Sequence, residues 1–384
     1  MSRPTFLELA RAIAGQYPAP HSLVLQLEGV VLRVRSNSAA VLDDLRAYFG
    51  SFAVEDGPGL GADMLFLLLE APAVRPPVEL TTRPHAPGKR PDKERSADVQ
   101  GGRIVRKQAT GMVFLFGHGG GTTTGKANIA PDIAIGPCAA NRNQLVNFLC
   151  ARYMERGVSR GWALGHAAGV AQRPEDGGKA LALCGFAGMG KSTLALHLVA
   201  RGLDFLSNDR VLVEPAQGGD TAILHGIPKH PRLNPGTALG NPELASLLAR
   251  VLPQTASESY GHLDTESLRA VEDKYDGDIT ACFGPGRFIL RAPLAGVVVL
   301  NWTHDGGPLV ARRVDLAERL DLLEAFRKVP GVFYLPPALG DMACLEVRDY
   351  VHVLAGIPAL ELCGGSDFGA AATACQEFLG GVRP

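Results

Sequence analysis

The stretch KALALCGFAGMGKSTLALHLVARG, Lys179 to Gly202, decides how this chain is read. Gly185, four residues, then Gly190, Lys191 and Ser192 complete the GxxxxGK[ST] pattern. Such a pattern binds phosphate only in context. A buried strand must deliver a glycine-rich turn straight into a helix, so that successive backbone N–H groups point at phosphate oxygens. The helix N-terminus adds partial positive charge, the lysine adds a full one, and the hydroxyl binds Mg²⁺. Here KALALCG reads as a short buried strand. After the turn, Leu194, Leu198 and the apolar positions between them read as a helix, with Gly202 where a C-terminal cap belongs. The phosphate loop is therefore expected at Gly185, Phe186, Ala187, Gly188, Met189, Gly190, Lys191, Ser192 and Thr193. Its glycines do not form GxGxxG, which disfavours a nicotinamide-type dinucleotide fold.

An earlier stretch imitates the pattern. GGGTTTGKANIAPDIAIGP, Gly119 to Pro137, has Gly120 and Gly125-Lys126 at the right spacing. Ala127 follows where a hydroxyl belongs, and Pro131 and Pro137 prevent a normal helix. Gly119–Lys126 reads as a glycine-rich hairpin loop.

The bulk numbers narrow the function class. At 384 residues the chain can hold two or three domains. With 38 Lys+Arg against 39 Asp+Glu, net −1, it lacks the basic excess of an electrostatically driven nucleic-acid binder. No apolar run reaches the roughly 18–20 residues needed to span a bilayer. The start, MSRPTFLELARAIAG, has no secretory-signal pattern. Seven cysteines, odd in number and without CxxC spacing, read as reduced core residues of a cytoplasmic protein.

Along the chain, SLVLQLEGVVLRVRS predicts a hairpin turning at Glu28-Gly29. NSAAVLDDLRAYFG predicts a helix with Leu42, Leu45 and Phe49 on one face, and MLFLLLEAP a buried strand. Residues 71–100, rich in Pro and charge, read as a surface loop or linker. GRIVRKQATGMVFLFG resumes with two strands. NRNQLVNFLCARYMERG, with Leu145, Phe148 and Leu149 on one helical face, opens a second domain. The chain thus divides into a smaller α+β N-terminal domain, 1–135, and an α/β domain, 136–384, with helices near 315–328 and 366–379 closing it.

A loop alone does not name a reaction, because phosphoryl transfer also needs a carboxylate near the metal. GLDFLSNDRVLVEP rises through Phe205 and Leu206 and ends in Asn208-Asp209-Arg210. In an open α/β sheet that end faces the crevice holding the loop, so Asp209 is the expected acid; a plain strand-end turn is the alternative. The apolar strand LAGVVVLNWTHD ends on Asn301, with Asp305 beyond, a weaker candidate. His166 lies in GWALGHAAGVAQ just upstream. Downstream, LHGIPKHPRLNPGT concentrates Lys229, His230, Arg232 and Asn234 in a proline-held loop suited to an anionic substrate, or a solvated basic turn. VEDKYDGDITACFGPGRFILRAPLAG adds Glu272, Lys274, Asp276, Arg287 and Arg291.

The order of these pieces resembles the HPr kinase/phosphorylase family, in particular its HPr-kinase-related kinase B branch. The resemblance runs from about Asn141 to Phe368 and rests on GHAAGVA, GFAGMGKST, SNDR, RAPLAGVVVLNW, NRNQLVNFL, GIPKHPRLNPGT, EDKYDGDI and ELCGGSDF. It implies a P-loop kinase domain of the HPr kinase and phosphoenolpyruvate carboxykinase type, using ATP and Mg²⁺, and often an oligomer. By motif position His166 matches the histidine near the γ-phosphate, and Asp209 the second acid of a paired-Asp motif. Asn208 stands where the family has the first acid. If that first acid is the general base, Asn208 cannot take a proton and only Asp209 could.

The expected activity is transfer of the ATP γ-phosphoryl group to a hydroxyl of a small molecule or a carrier protein. Lys191, Asp209 and His166 are the catalytic candidates, with Ser192 and Asp209 on the metal. Lys229, Arg232, Asn234, Arg287 and Arg291 are the acceptor-side candidates. A nucleotide-hydrolysing switch and a non-catalytic nucleotide-binding scaffold are the alternatives.

Overall fold

The fold was analysed in a computed structural model that describes residues 4–57, 60–82, 93–118, 130–218, 220–239, 241, 244–245, 251–253, 258–264, 267–268, 271, 273–303, 306–335 and 345–381. The chain forms two compact units, Met1–Arg160 with Pro330–Asp341, and Gly161–Val329 with Met342–Pro384. Both are mixed α/β.

In the first unit, β1 (His21–Leu27) and β2 (Val30–Ser36) form the expected hairpin. Glu28 and Gly29 both take positive φ, 45° and 75°, the twist that a two-residue hairpin turn requires. The other strands are β3 (Ala53–Val54), β4 (Met64–Glu70), β5 (Thr81–Thr82), β6 (Glu94–Val99), β7 (Gly102–Lys107), β8 (Val113–Gly117) and β9 (Asp132–Gly136). They make one sheet in the order β3-β1-β2-β4-β9-β8-β7-β6-β5, parallel only at β2–β4 and β4–β9. Helices α1 (Phe6–Gln16), α2 (Ala39–Phe49) and α3 (Arg142–Val158) complete the unit. Leu42, Leu45 and Phe49 are buried, as their spacing predicts.

Two sequence expectations change here. The Pro- and charge-rich stretch is not loop throughout. β5 and β6 pair in the sheet, and β6 is tied to β7 by the ion pairs Glu94–Lys107 and Asp98–Arg103. The sequence also assigns α3 to the second domain, whereas α3 packs in the first unit. The ring of Phe148 lies 5.0–5.9 Å from those of Phe66, Phe114, Phe116 and Phe333. The fully buried Arg152 binds Asp132 at 2.8 Å, pairs with Glu155, and donates to the carbonyls of Gly117 and Phe333. Gly119–Lys126 lies outside the described residues; the strands flanking it, β8 and β9, are antiparallel neighbours.

In the second unit the strands are β10 (Ala163–Gly165), β11 (Ala167–Ala171), β12 (Ala180–Gly185), β13 (Asp204–Ser207), β14 (Val211–Glu214), β15 (Ile223–His225), β16 (Arg232–Leu233), β17 (Tyr275–Asp276), β18 (Arg291–Leu300), β19 (Leu309–Val314) and β20 (Ala359–Gly364). The main sheet runs β10-β14-β15-β18-β12-β11-β13, with β20 on β18 and β19 on β20. β12, a run of small apolar residues, is buried along its whole length between parallel β18 and antiparallel β11. Helix α4 (Lys191–Ala200) is apolar on nearly every side because it too is buried. It ends in a Schellman motif. Gly202 has φ 109°, its N–H reaches Val199 O, and the N–H of Leu203 reaches Leu198 O.

The helix expected over 315–328 is reduced to Leu320–Leu323, because Arg327 leaves it to bridge the edge of β10 at Gly165. The last helix, Phe368–Leu379, matches its expected span within two residues. All described cysteines are free, and burial pushes the thiols of Cys138, Cys184 and Cys375 up to about 12. No helix among the described residues is long and apolar enough to cross a membrane.

Candidate active site

β12 ends at Gly185, paired with Leu300 of β18, and the chain enters α4 at Lys191. The turn between them needs glycine at its last position. Gly190 has φ 84°, and a Cβ there would meet the ring of Phe368 at 2.6 Å. That ring is itself held. It stands edge-on to Trp302 with centroids 5.4 Å apart and lies parallel to His197 at 5.6 Å. Trp302 Nε1–H donates to Met189 O at 3.0 Å. Two rings from late in the chain thus support the turn from below, while Phe186, Ala187 and Gly188 are exposed at its tip.

Lys191 folds back over the turn, its Nζ donating to Gly185 O at 2.6 Å and Phe186 O at 3.1 Å. Burial pushes its pKa down, and the nearby charge of Asp209 works in the opposite direction. Thr193 is buried in the first turn of α4. Ser192 Oγ–H donates to Asn208 Oδ1 at 2.6 Å.

That contact follows from topology. β13 is not a direct neighbour of β12, as the simplest open-sheet reading has it; antiparallel β11 lies between them. β13 therefore runs in the same direction as β12 and ends at the same edge, bringing Asn208 to Ser192. His166 reaches this edge because β11 begins one residue later, with Ala167 paired to Cys184.

Asp209 takes φ 67°, a left-handed conformation that Asp tolerates better than most residues but does not prefer. Its side chain is 53 % exposed. His166 Nε2 lies 3.2 Å from Oδ1, Lys328 Nζ 3.7 Å from Oδ1, and Arg210 Nε 3.6 Å from Oδ2. Burial acts to raise the pKa of Asp209. The hydrogen bond from His166 and the charges of Lys328 and Arg210 outweigh it and hold the carboxyl well below the usual carboxylate range. Lys191, Ser192, Asn208, Asp209 and His166 are therefore neighbours.

Lys328 belongs with them and was not singled out from the sequence. The only signal for it is structural. Phe326 packs on Gly165, where a Cβ would lie 2.4 Å from its ring, and Phe326 O accepts the N–H of His166 at 2.7 Å. This pairing carries Lys328 to Asp209. The other strand-end candidate, Asn301, is turned aside. Its amide donates at 2.7 Å to the buried Glu361, which also accepts from Arg312 and Arg319. Asp305 lies outside the described residues.

The acceptor-side candidates separate. Ile227 N–H donates to Ser207 Oγ at 3.2 Å, so the loop carrying Lys229, Arg232 and Asn234 springs from the same sheet edge. Arg232 is exposed, donating to Lys274 O at 3.2 Å with Asp276 at 3.8 Å. His230 is buried, its Nδ1 accepting the N–H of Ile279. Asn234 O accepts the N–H of Thr237 at the start of the short helix Pro235–Leu239. Glu272 lies outside the described residues.

Arg287 is not brought to this edge. Arg287 binds Asp204, the first residue of β13, at 2.8 Å and donates to Val199 O and Leu203 O. Its guanidinium closes the far end of α4. Arg291 is exposed at the start of β18, where it pairs with His225 at the foot of the loop carrying Lys229, Arg232 and Asn234. Arg287→Ala should therefore act on stability. Leaving the buried Asp204 with only the more distant Arg173, at 3.9 Å, costs up to about 3 kcal/mol, read in a denaturant titration; a kinetic defect at unchanged stability would return Arg287 to the site.

Among the described residues no group of three or more His, Cys, Asp or Glu side chains is placed to hold a metal ion. Mg²⁺ does not need such a cage, since one or two carboxylates complete its shell with water and substrate phosphates. Ser192 Oγ, Asn208 Oδ1 and the ionised Asp209 are hard oxygen donors of the required kind.

No family model and no curated protein matches the chain. Among solved structures, the Hpr(Ser) kinase/phosphatase from Coxiella burnetii is similar over 56 % of this chain and 94 % of that one, at 12 % identity and a TM-score of 0.27. At that identity and TM-score the likeness carries no argument.

Proposed function

We propose that the second unit is an ATP- and Mg²⁺-dependent kinase that transfers the γ-phosphoryl group to a hydroxyl of a small molecule or carrier protein. The observation that carries this reading is the 2.6 Å contact of Ser192 with Asn208, beside Asp209 and its ring of His166, Lys328 and Arg210. A bare phosphate loop would need none of these companions. The reading also rests on the order of motifs shared with the HPr-kinase-related kinase B branch.

In this reading the N–H groups of the Gly185–Thr193 turn and the ammonium of Lys191 hold the β- and γ-phosphates. Mg²⁺, when bound, neutralises charge developing on the phosphates, and Ser192, Asn208 and Asp209 would hold it. Lys328 and His166 line the side on which negative charge spreads over the transferring group, and they keep Asp209 ionised. The loop carrying Lys229, Arg232 and Asn234 faces the acceptor.

Asn208 supports a second reading, a nucleotide-binding scaffold without turnover, because a carboxamide cannot act as a base. One experiment separates them: incubate the protein with γ-labelled ATP, Mg²⁺ and fractionated metabolites or proteins, and follow the label. A labelled acceptor is the expected result. Label found only in free phosphate would favour a hydrolysing switch, and bound but unconsumed ATP the scaffold; either overturns the kinase reading.

A further inference from the structure

The groups around Asp209 come from segments far apart in sequence, and one buried side chain joins two of them. We propose that Tyr350 is a positioning residue for this site: its hydroxyl clamps the strand leading to His166 onto the segment carrying Lys328, and so sets both side chains against Asp209. This rests on the kinase reading for its kinetic consequence, not for the clamp itself.

Tyr350 lies on the helix Val347–Val353 and is 1 % exposed. Its Oη–H donates to Leu164 O at 2.6 Å, two residues before His166. The same oxygen accepts the N–H of Lys328 at 3.5 Å, the longer of the two bonds. Between these points the segments are already paired. His166 N–H donates to Phe326 O, and Gly165 bridges Arg327. The ring of Phe326 packs on Gly165 and stands edge-on to Tyr350 with centroids 5.7 Å apart. A phenol has one donor and can accept, and here both capacities serve the two segments that carry partners of Asp209. Burial pushes the phenol up to about 12, so its proton stays in place as the donor to Leu164.

A core tyrosine needs only one partner and a packed ring. Joining Leu164 to Lys328 gives this one a different consequence. If the hydroxyl is lost, the ring still fills its site, but His166 and Lys328 lose a common fixed point. Misplacement of about 1 Å by a change away from the chemistry can reduce a rate about 10²-fold. The phosphate turn lies on other elements, β12 and α4, and should be untouched.

The test is Tyr350→Phe, which keeps the ring and removes only Oη. The expected result is a fall in kcat of about 10- to 100-fold with KM for ATP unchanged. Amide exchange should rise at His166 and Lys328 and stay the same in β12 and α4. The loss of kcat should also be smaller in a Lys328→Ala background, since residues acting through one contact are not additive. Wild-type kcat in Tyr350→Phe, or losses of kcat, ATP affinity and thermal stability in parallel, would make Tyr350 a plain core residue. Full additivity with Lys328→Ala would do the same.

If the variant does not fold, the wild-type protein still decides. The clamp requires the Lys328 amide to exchange more slowly than that of exposed Val329, and equal rates overturn it. A wild-type protein that turns over no ATP would defeat the kinase reading, while the exchange measurements would still judge the clamp.

Discussion

Lys191→Ala should lower phosphoryl transfer about 10²–10³-fold, the typical loss when one preorganised charge is removed from a reacting group. The side chain starts the first turn of α4 and curls back onto Gly185 O and Phe186 O, so its ammonium is held over the concave face of the turn. Burial already disfavours the charged form there, and the charge of Asp209 supports it. A phosphate entering the turn would relieve that penalty, which is why the lysine should act on bound ATP and not on folding alone. Lys191→Arg should not restore the rate, because a planar fork cannot take the place of a compact ammonium between two carbonyls. Lys126→Ala should leave turnover unchanged. Steady-state kinetics with a matched thermal melt check this; a Lys126 variant that loses nucleotide binding while Lys191→Ala keeps it would put the phosphate in the other glycine-rich stretch.

What could be read from the sequence follows a physical division. The β12–turn–α4 unit was legible because every part is local: apolar run, glycines, hydroxyl, apolar helix and Gly202 stop all lie within twenty-four consecutive residues. Asp209 was legible for the same reason, as the polar end of an apolar strand. Lys328 was not, because its position depends on Phe326 and Arg327 pairing with β10, across more than 150 residues of chain. No periodicity encodes that pairing; the same stretch instead looks helical, and edge pairing overrides the local preference.

Arg287 fails in the opposite direction. It is cationic and close in sequence to the site motifs, but Asp204 holds it at the start of β13 while Asp209 lies past the end of that strand. Trp302 and Phe368 close the motifs RAPLAGVVVLNW and ELCGGSDF, but the sequence assigns neither a role. Their role under Gly190 appears only when β18 and the last helix are brought to the turn.

Asp209→Asn should cut phosphoryl transfer about 10²–10⁴-fold while leaving ATP affinity nearly intact, since the carboxylate lies beside the turn and not in it. Two roles are open to it, proton acceptor and holder of positive charge, and the surroundings favour the second. His166, Lys328 and Arg210 keep the carboxyl well below its ordinary range, and so low a pKa makes it a weak base at neutral pH. The sign of the pH dependence follows. A carboxylate with a depressed folded pKa contributes stability in full above its unfolded value, about 3.9, and loses it as pH falls through the lower folded value. The stability gap between wild type and Asp209→Asn should therefore not close between neutrality and about pH 5, and should close only in stronger acid. Over the same range the wild-type pH–rate profile should have no limb belonging to Asp209, so any acid limb near pH 6 should persist in the residual activity of the variant. If Asp209→Asn instead removes such a limb, Asp209 titrates in the working range and is the base after all. Wild-type rates in the variant would reduce SNDR to a strand-end turn, and the contact of Ser192 with Asn208 would then be part of the fold alone.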